Sequence, residues 1–156
     1  MLESLTFIFK FNNGLIKRSL EGLSDDEVWT ELSGSGNPIG WVLGHLTETR
    51  AGILRELGVP FDPGWGGVFK RGSMRQNRSL YPSRQDIETQ WQATHHAMRD
   101  GFALLTAERL VQPATREVPG VRTYADQLGF YAAHESYHVG QIGFIRKQLG
   151  HSSIAG

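Results

Sequence analysis

Apolar residues along this chain recur at steps of three and four, hardly ever at two, a spacing that predicts helices and almost no strand. Leu5, Ile8, Phe9, Leu15, Ile16 and Leu20, with Asn12 among them, mark one face of a first helix from about Leu2 to Glu21. Ser24 and Glu27 then form a capping box that starts a short helical piece through Val28 and Trp29. A glycine-containing break at 34–37 follows. Asn37 as N-cap and Pro38 at the first helical position start a second helix, which runs to about Leu57 and stops at Gly58. Ser83 with Asp86 starts a third helix through about Glu108, with Trp91, His95, Met98, Phe102 and Leu105 facing inward. Thr123 with Asp126 starts a fourth, which ends at Gly150. Residues 58–82 have no clean period and hold five glycines and three prolines. A connection of that length inside a small domain points to a functional loop. The expected architecture is all-α: an antiparallel four-helix bundle with a long loop between the second and third helices.

Bulk properties narrow the function classes. A chain of 156 residues fits a single domain spanning 1–156. Lys plus Arg and Asp plus Glu each number 16, so no global charge draws in nucleic acid or an anionic membrane surface. No apolar run approaches the ~20 residues that a membrane span needs. The N-terminal segment carries charge and Asn at helical spacing with no small-residue cleavage site, so it reads as a mature helix. Cysteine is absent, which excludes disulfides, thiolate ligands and a cysteine nucleophile, and fits a reducing, cytoplasmic location.

The chemistry concentrates in HESYHVGQIG, residues 134–143, which matches the H-E-x-x-H signature of zinc peptidases. At 100° per residue His134 and His138 stack about 40° apart on one helical face. Gln127, Phe130, Tyr131, Gln141, Ile142 and Ile145 share that face, so both imidazoles point into the bundle. Metal coordination or hydrogen bonds to Gln or Tyr would satisfy them. A peptidase needs a third ligand downstream, and the extended pattern requires Gly at 141 and His at 144. Gln141 and Phe144 stand there, and no Asp or Glu follows Glu135, so the peptidase reading fails. His151 lies past Gly150 in a tail expected to fray. His45, in WVLGHLTETR of the second helix, is the better third ligand. It sits about 12 Å along its helix and His134 about 17 Å along its own, so the two can meet in the core. Gly44 beside it would let a neighbouring helix approach closely. Three imidazoles with one open position make a catalytic rather than a closed metal site.

With these motifs in place the chain resembles the DinB-like (DinB/YfiT-like) superfamily. LSDDEVW after an Asn-bearing first helix, the histidine of WVLGHL, and HESYHVGQIGFIRKQLG in the last helix carry the likeness over nearly the whole length. The resemblance implies a helical bundle, often dimeric, that binds a divalent ion such as Zn, Ni or Fe through His45, His134 and His138. It also implies enzymes of the S-transferase or isomerase type that depend on a low-molecular-weight thiol, here with a small-molecule substrate. The alternatives are a metal-dependent hydrolase that activates water and a non-catalytic metal-binding stress protein.

Around the histidines, Glu48 and Gln141 are the expected catalytic side chains, Glu48 as orienting group or base and Gln141 at the ligand face. Glu135 lies 100° off that face and is expected either to support a ligand from behind or to join an interhelical salt bridge. Tyr131 and Tyr137 are expected to cap the pocket, whereas His95 and His96 are left out of it. Lys70, Arg71, Arg75 and Arg78, interleaved with Trp65, Phe69 and Tyr81, read as a solvated basic loop or, more sharply, as a lid that receives an anionic group. Small residues (Ala125, Gly129, Ala132, Ser136, Gly140 and Gly143) line the back of the fourth helix and suggest a homodimer packed there, although a loop folded over that face would leave the same pattern.

Overall fold

The computed structural model describes residues 2–32, 36–73 and 76–154. Among them are six α-helices: α1 (Leu2–Leu20), α2 (Asp25–Trp29), α3 (Ile39–Glu56), α4 (Arg84–Phe102), α5 (Ala107–Leu110) and α6 (Tyr124–Gln148), with a single 3-10 turn at Arg78–Leu80. Among the described residues no helix is long and apolar enough to cross a membrane. The caps explain most of the boundaries. Ser24 and Glu27 close a reciprocal capping box on α2, Thr123 and Asp126 close another on α6, and the Ser83 side chain accepts from the Asp86 amide. Two boundaries differ from expectation. Pro38, not Asn37, is the N-cap of α3 and supplies no side-chain bond. The third long helix stops at Phe102 rather than near Glu108, because the Thr106 hydroxyl accepts from the Arg109 amide and starts α5 as a separate turn.

The four long helices close a ring of neighbours, α1 on α6, α6 on α3, α3 on α4 and α4 on α1. Their directions follow from the pairings. Asn12 meets Ser136 and the Ser19 carbonyl meets Arg146, so α1 and α6 run parallel. Arg50 lies over Trp91, and Leu57 abuts Gly101, so α3 and α4 also run parallel. The two pairs oppose each other: His45 meets His134 while Glu56 meets Gln127, and Phe9 packs on Phe102 while Arg84 reaches the Leu20 carbonyl. A wholly antiparallel bundle is therefore not what forms. Parallel neighbours require a crossover, and α3 is about 27 Å long at 1.5 Å per residue. The long segment after α3 makes that return, with Val59 and Phe61 packed at one end of the bundle and Trp65, Phe69 and Tyr81 at the other.

The core is split in two. One apolar cluster centres on Ile16, Leu46, Trp91 and Ile142, the other on Phe9, Leu54, Phe102 and Leu128. Between them lies a belt of buried polar groups that includes Asn12, Thr47, Arg50, Thr94 and Glu135. Arg50 and Glu135 are joined at 2.7 Å (Nε to Oε2) and 2.8 Å (Nη2 to Oε1), with side chains 1% and 3% exposed. The guanidinium also lies 3.6 Å from the Trp91 ring centroid and donates to the Phe9 carbonyl at 3.2 Å. The interhelical salt bridge expected of Glu135 is thus present, and it ties α6 to α3.

The small-residue face of α6 is partly used inside the chain. Ala132 is buried, Ser136 bonds Asn12, and Ile154 of the C-terminal tail sits 3.4 Å from where a Cβ on Gly143 would be. Gly129 and Gly140 face open space. The tail is held, because His151 Nε2 lies 2.8 Å from Glu27 Oε1 and the Arg146 Nε donates to the Ser152 carbonyl.

Removing one member of a buried ion pair strands the other, a cost of about 3–5 kcal/mol. Glu135→Ala should therefore lower the unfolding free energy by that order, read by urea denaturation. The double change Arg50→Met with Glu135→Leu, which leaves no buried charge, should recover much of the loss. Equal stability of Glu135→Ala and the parent protein would refute the role given to the pair.

Candidate metal centre

α3 brings one imidazole and α6 two to a common point. His134 Nε2 lies 3.3 Å from His45 Nε2 and 3.1 Å from His138 Nε2. The i, i+4 spacing on α6 stacks its two rings, and the α3–α6 antiparallel contact supplies the third. These residues form a cluster whose ligand atoms all lie within 4.8 Å of one another, and each ring is half-buried. Two nitrogens bound to one zinc at about 2.0–2.1 Å and tetrahedral angles are separated by about 3.3 Å. The observed spacings fit that requirement.

The outer nitrogens decide the tautomers. His45 Nδ1 lies 2.9 Å from the Phe69 carbonyl, and His138 Nδ1 lies 2.7 Å from Gln141 Oε1. Both partners are acceptors, so both Nδ1 atoms carry protons and both Nε2 atoms present lone pairs to the cluster. His134 Nε2 faces both of those lone pairs: as N–H it donates to one of them, and as a lone pair it completes a three-nitrogen donor set. His134 Nδ1 is buried with no partner among the described residues. Burial holds all three imidazoles below the usual histidine range. For His134 the value falls to about 4, through burial first, then the His138 and His45 charges, and then Arg71. The rings are therefore neutral at pH 7, as ligands must be. The donor set, three neutral imidazoles with their outer N–H groups engaged at two positions, fits a divalent ion of the zinc, nickel or iron kind.

Gln141 touches the site by orienting His138, and its Nε2 donates to the Tyr137 hydroxyl at 3.0 Å. Tyr137 is 64% exposed, with its ring centroid 5.3 Å from that of His138, so it stands at the rim. Glu48 lies outside the cluster. Its carboxylate is buried beneath the 67–70 turn, where the Gly67 and Phe69 amides and Lys70 are its neighbours, and burial raises its pKa. No hydrogen bond of good geometry closes there, although the two amides still oppose the rise. Tyr131 does not cap the pocket: its hydroxyl joins Glu56 and Arg116 at 3.1 Å each, at the opposite end of the α3–α6 contact. His95 pairs edge-on with His96 on α4, away from the cluster.

The sequence pattern leaves Phe69 unassigned to the site. Its ring is fully buried against Gly44, where an added Cβ would lie 2.6 Å from the ring carbons. Gly44 thus admits a loop side chain rather than a neighbouring helix. Seated there, Phe69 directs its carbonyl to His45, whose other face is covered by Trp41, stacked at 5.3 Å and 8°. Of the four loop cations, Arg71 acts on His45 and His134, Lys70 acts on Glu48, and Arg78 lies on Trp29 at 4.0 Å. Arg75 lies outside the described residues.

Two titrations check this centre. Gly44→Ala should displace Phe69 and weaken metal affinity about 10–100-fold with all three ligands in place. Unchanged affinity by competition with a chromophoric chelator would refute the orienting bond. Affinity should stay level from pH 8 to somewhat below 6.5, because the folded-state imidazoles titrate below their ordinary value, and fall as pH approaches about 4, where His134 takes a proton. Metal-free protein should lose stability in the same direction. The folded-state pKa values are depressed, so the unfolded chain binds more protons as pH drops below 6.5. Affinity that stays level down to pH 4 would contradict histidine ligation.

No curated protein matches the chain. The sequence profile of the DinB superfamily matches residues 11–142, a span that contains all three histidines and most of the bundle. On that match, with the helical fold and the histidine cluster behind it, the chain belongs to the DinB superfamily.

Proposed function

We propose that this protein is a metal-dependent enzyme that activates a low-molecular-weight thiol for transfer to, or isomerisation of, a small electrophilic substrate. One observation carries the proposal: three neutral imidazoles from two helices aim Nε2 at one point, at a half-exposed position where a fourth ligand can enter. A divalent ion held there would lower the pKa of an incoming thiol and make a nucleophile at neutral pH. The chain has no cysteine, so the sulfur must come from a diffusible molecule.

The chain's own groups then divide the work. Phe69 and Gln141 hold two imidazoles in the ligating tautomer. Arg71, the loop cation that acts on the histidines, receives an anionic group on the thiol or substrate. Glu48 works through the turn that carries Phe69, as a positioning residue rather than a base. In the purified protein, elemental analysis should find about one equivalent of zinc, nickel or iron per chain. Metal-loaded protein should accelerate consumption of a thiol by a generic electrophile, and His45→Ala should lose both metal and acceleration. Metal binding without thiol consumption, but with ester or amide hydrolysis, would replace this reading with the hydrolase.

A homodimer is proposed on the same outer surface as before, now with aromatic contacts added. Phe144 is 57% exposed one turn from the open Gly140, and Phe7 and Phe11 are stacked in the open on α1. Sedimentation at micromolar concentration should give twice 17.4 kDa; a monomer would remove the dimer.

A further inference from the structure

α3 contains three glycines, and a ring explains two of them. A Cβ on Gly40 would lie 2.7 Å from the Trp29 indole, and one on Gly44 would lie 2.6 Å from the Phe69 ring. Gly52 is different. Among the described residues, the nearest atom to a Cβ there is Arg55 Nη2, at 3.9 Å. Glycine inside a helix is less stable than alanine, and no packing contact in the chain requires it at this position. Gly52 follows His45 by seven residues, so it lies on the same helical face, about 10 Å further along. The other helical glycines with open surroundings lie elsewhere. Gly14 is on α1, and Gly129 and Gly140 are turned more than about 100° from the histidines of α6.

The register of α3 on α6 identifies what stands opposite. His45 meets His134 and Glu56 meets Gln127, so the stretch between those contacts sets Gly52 against Phe130. Phe130 is 40% exposed. Its ring stacks on the His134 imidazole at 6.2 Å and 29°, and Tyr131 is tilted against it at 6.0 Å. Both neighbours belong to α6, and among the described residues no ring of α3 meets it. A bare stretch of helix facing a half-open ring makes a slot for a flat apolar group. Gly40 and Gly44 show that α3 receives rings in this way elsewhere.

We propose that the slot between Gly52 and Phe130 seats an aromatic ring of a small molecule held at the histidine centre. The substrate or thiol of the proposed reaction is then aryl-bearing. That last step rests on the proposed function, whereas the slot requires only a metal at the histidines.

The test titrates cobalt(II)-loaded protein with acetohydroxamate, phenylacetohydroxamate and cyclohexylacetohydroxamate, following the visible absorption of the cobalt. The phenyl compound should bind about tenfold more tightly than acetohydroxamate and about threefold more tightly than the cyclohexyl compound. Gly52→Leu should abolish the phenyl advantage while leaving cobalt content and acetohydroxamate affinity unchanged. Phe130→Leu, at a half-exposed position, should reduce that advantage at least about threefold. Gly52→Ala should melt above the parent protein, which shows that a side chain at this position does not unfold the helix. Equal affinity for the phenyl and cyclohexyl compounds would overturn the proposal, as would a phenyl advantage that survives both leucine variants. Failure to take up cobalt would remove the metal centre and the slot's ligand together. A phenyl preference without thiol consumption would support the slot and remove only the thiol-transfer reading.

Discussion

The buried pairing of Arg50 with Glu135 is the contact on which the rest of the molecule depends. Two charges at 1% and 3% exposure tolerate burial only if their geometry is met, and the bidentate contact meets it at one relative position of α3 and α6. Apolar stripes permit sliding by a turn at modest cost; a desolvated ion pair does not. Glu135 adjoins His134, and Arg50 lies five residues beyond His45. The register that satisfies the pair is the register that brings three Nε2 atoms together. The H-E dipeptide of the motif therefore has a structural reason here, and the glutamate is unavailable as a general base.

The crossover is the second constraint. Parallel packing of α3 on α4 forces a long return segment along the outside of the bundle. The same segment inserts Phe69 beside Gly44 and presents its carbonyl to His45. Loop seating and ligand tautomer are thereby coupled. Glu48, sealed beneath the turn, and Lys70 above it belong to the same anchoring arrangement. Opening of this segment, by whatever cause, would free the imidazole to rotate.

Electrostatics of the site favour a cation over protons. Burial and mutual repulsion keep the imidazoles neutral, while two fixed Nδ1–H bonds turn their lone pairs inward. A divalent ion would accept lone pairs from all three rings at once, whereas a proton is shared between two nitrogens at most. Arg71 adds positive potential that opposes protonation and would attract an anion to the open side.

Much of this was local, and so readable in the chain. The capping boxes at Ser24–Glu27 and Thr123–Asp126 act over three residues, and the His134–His138 stack follows from helical periodicity alone. His45 was inferable as the missing ligand because no downstream acid or histidine could serve. Helical pattern does not encode direction of packing, so the parallel pairing of α3 with α4 was hidden, and with it the return path that seats Phe69. Tyr131 shares the histidine stripe yet bonds Glu56, because α3 crosses it at a different height. The N-cap of α3 fell to Pro38 rather than its neighbour Asn37, and the Thr106 hydroxyl capped a separate turn where the helical pattern ran on. The sequence by itself determined the helices, their buried faces and the identity of the three histidines, since those depend on neighbours within a turn or two. The tertiary structure alone decided which helices run alongside which, what seats Phe69 beside Gly44 and what orients His45, since those contacts join residues far apart in the chain.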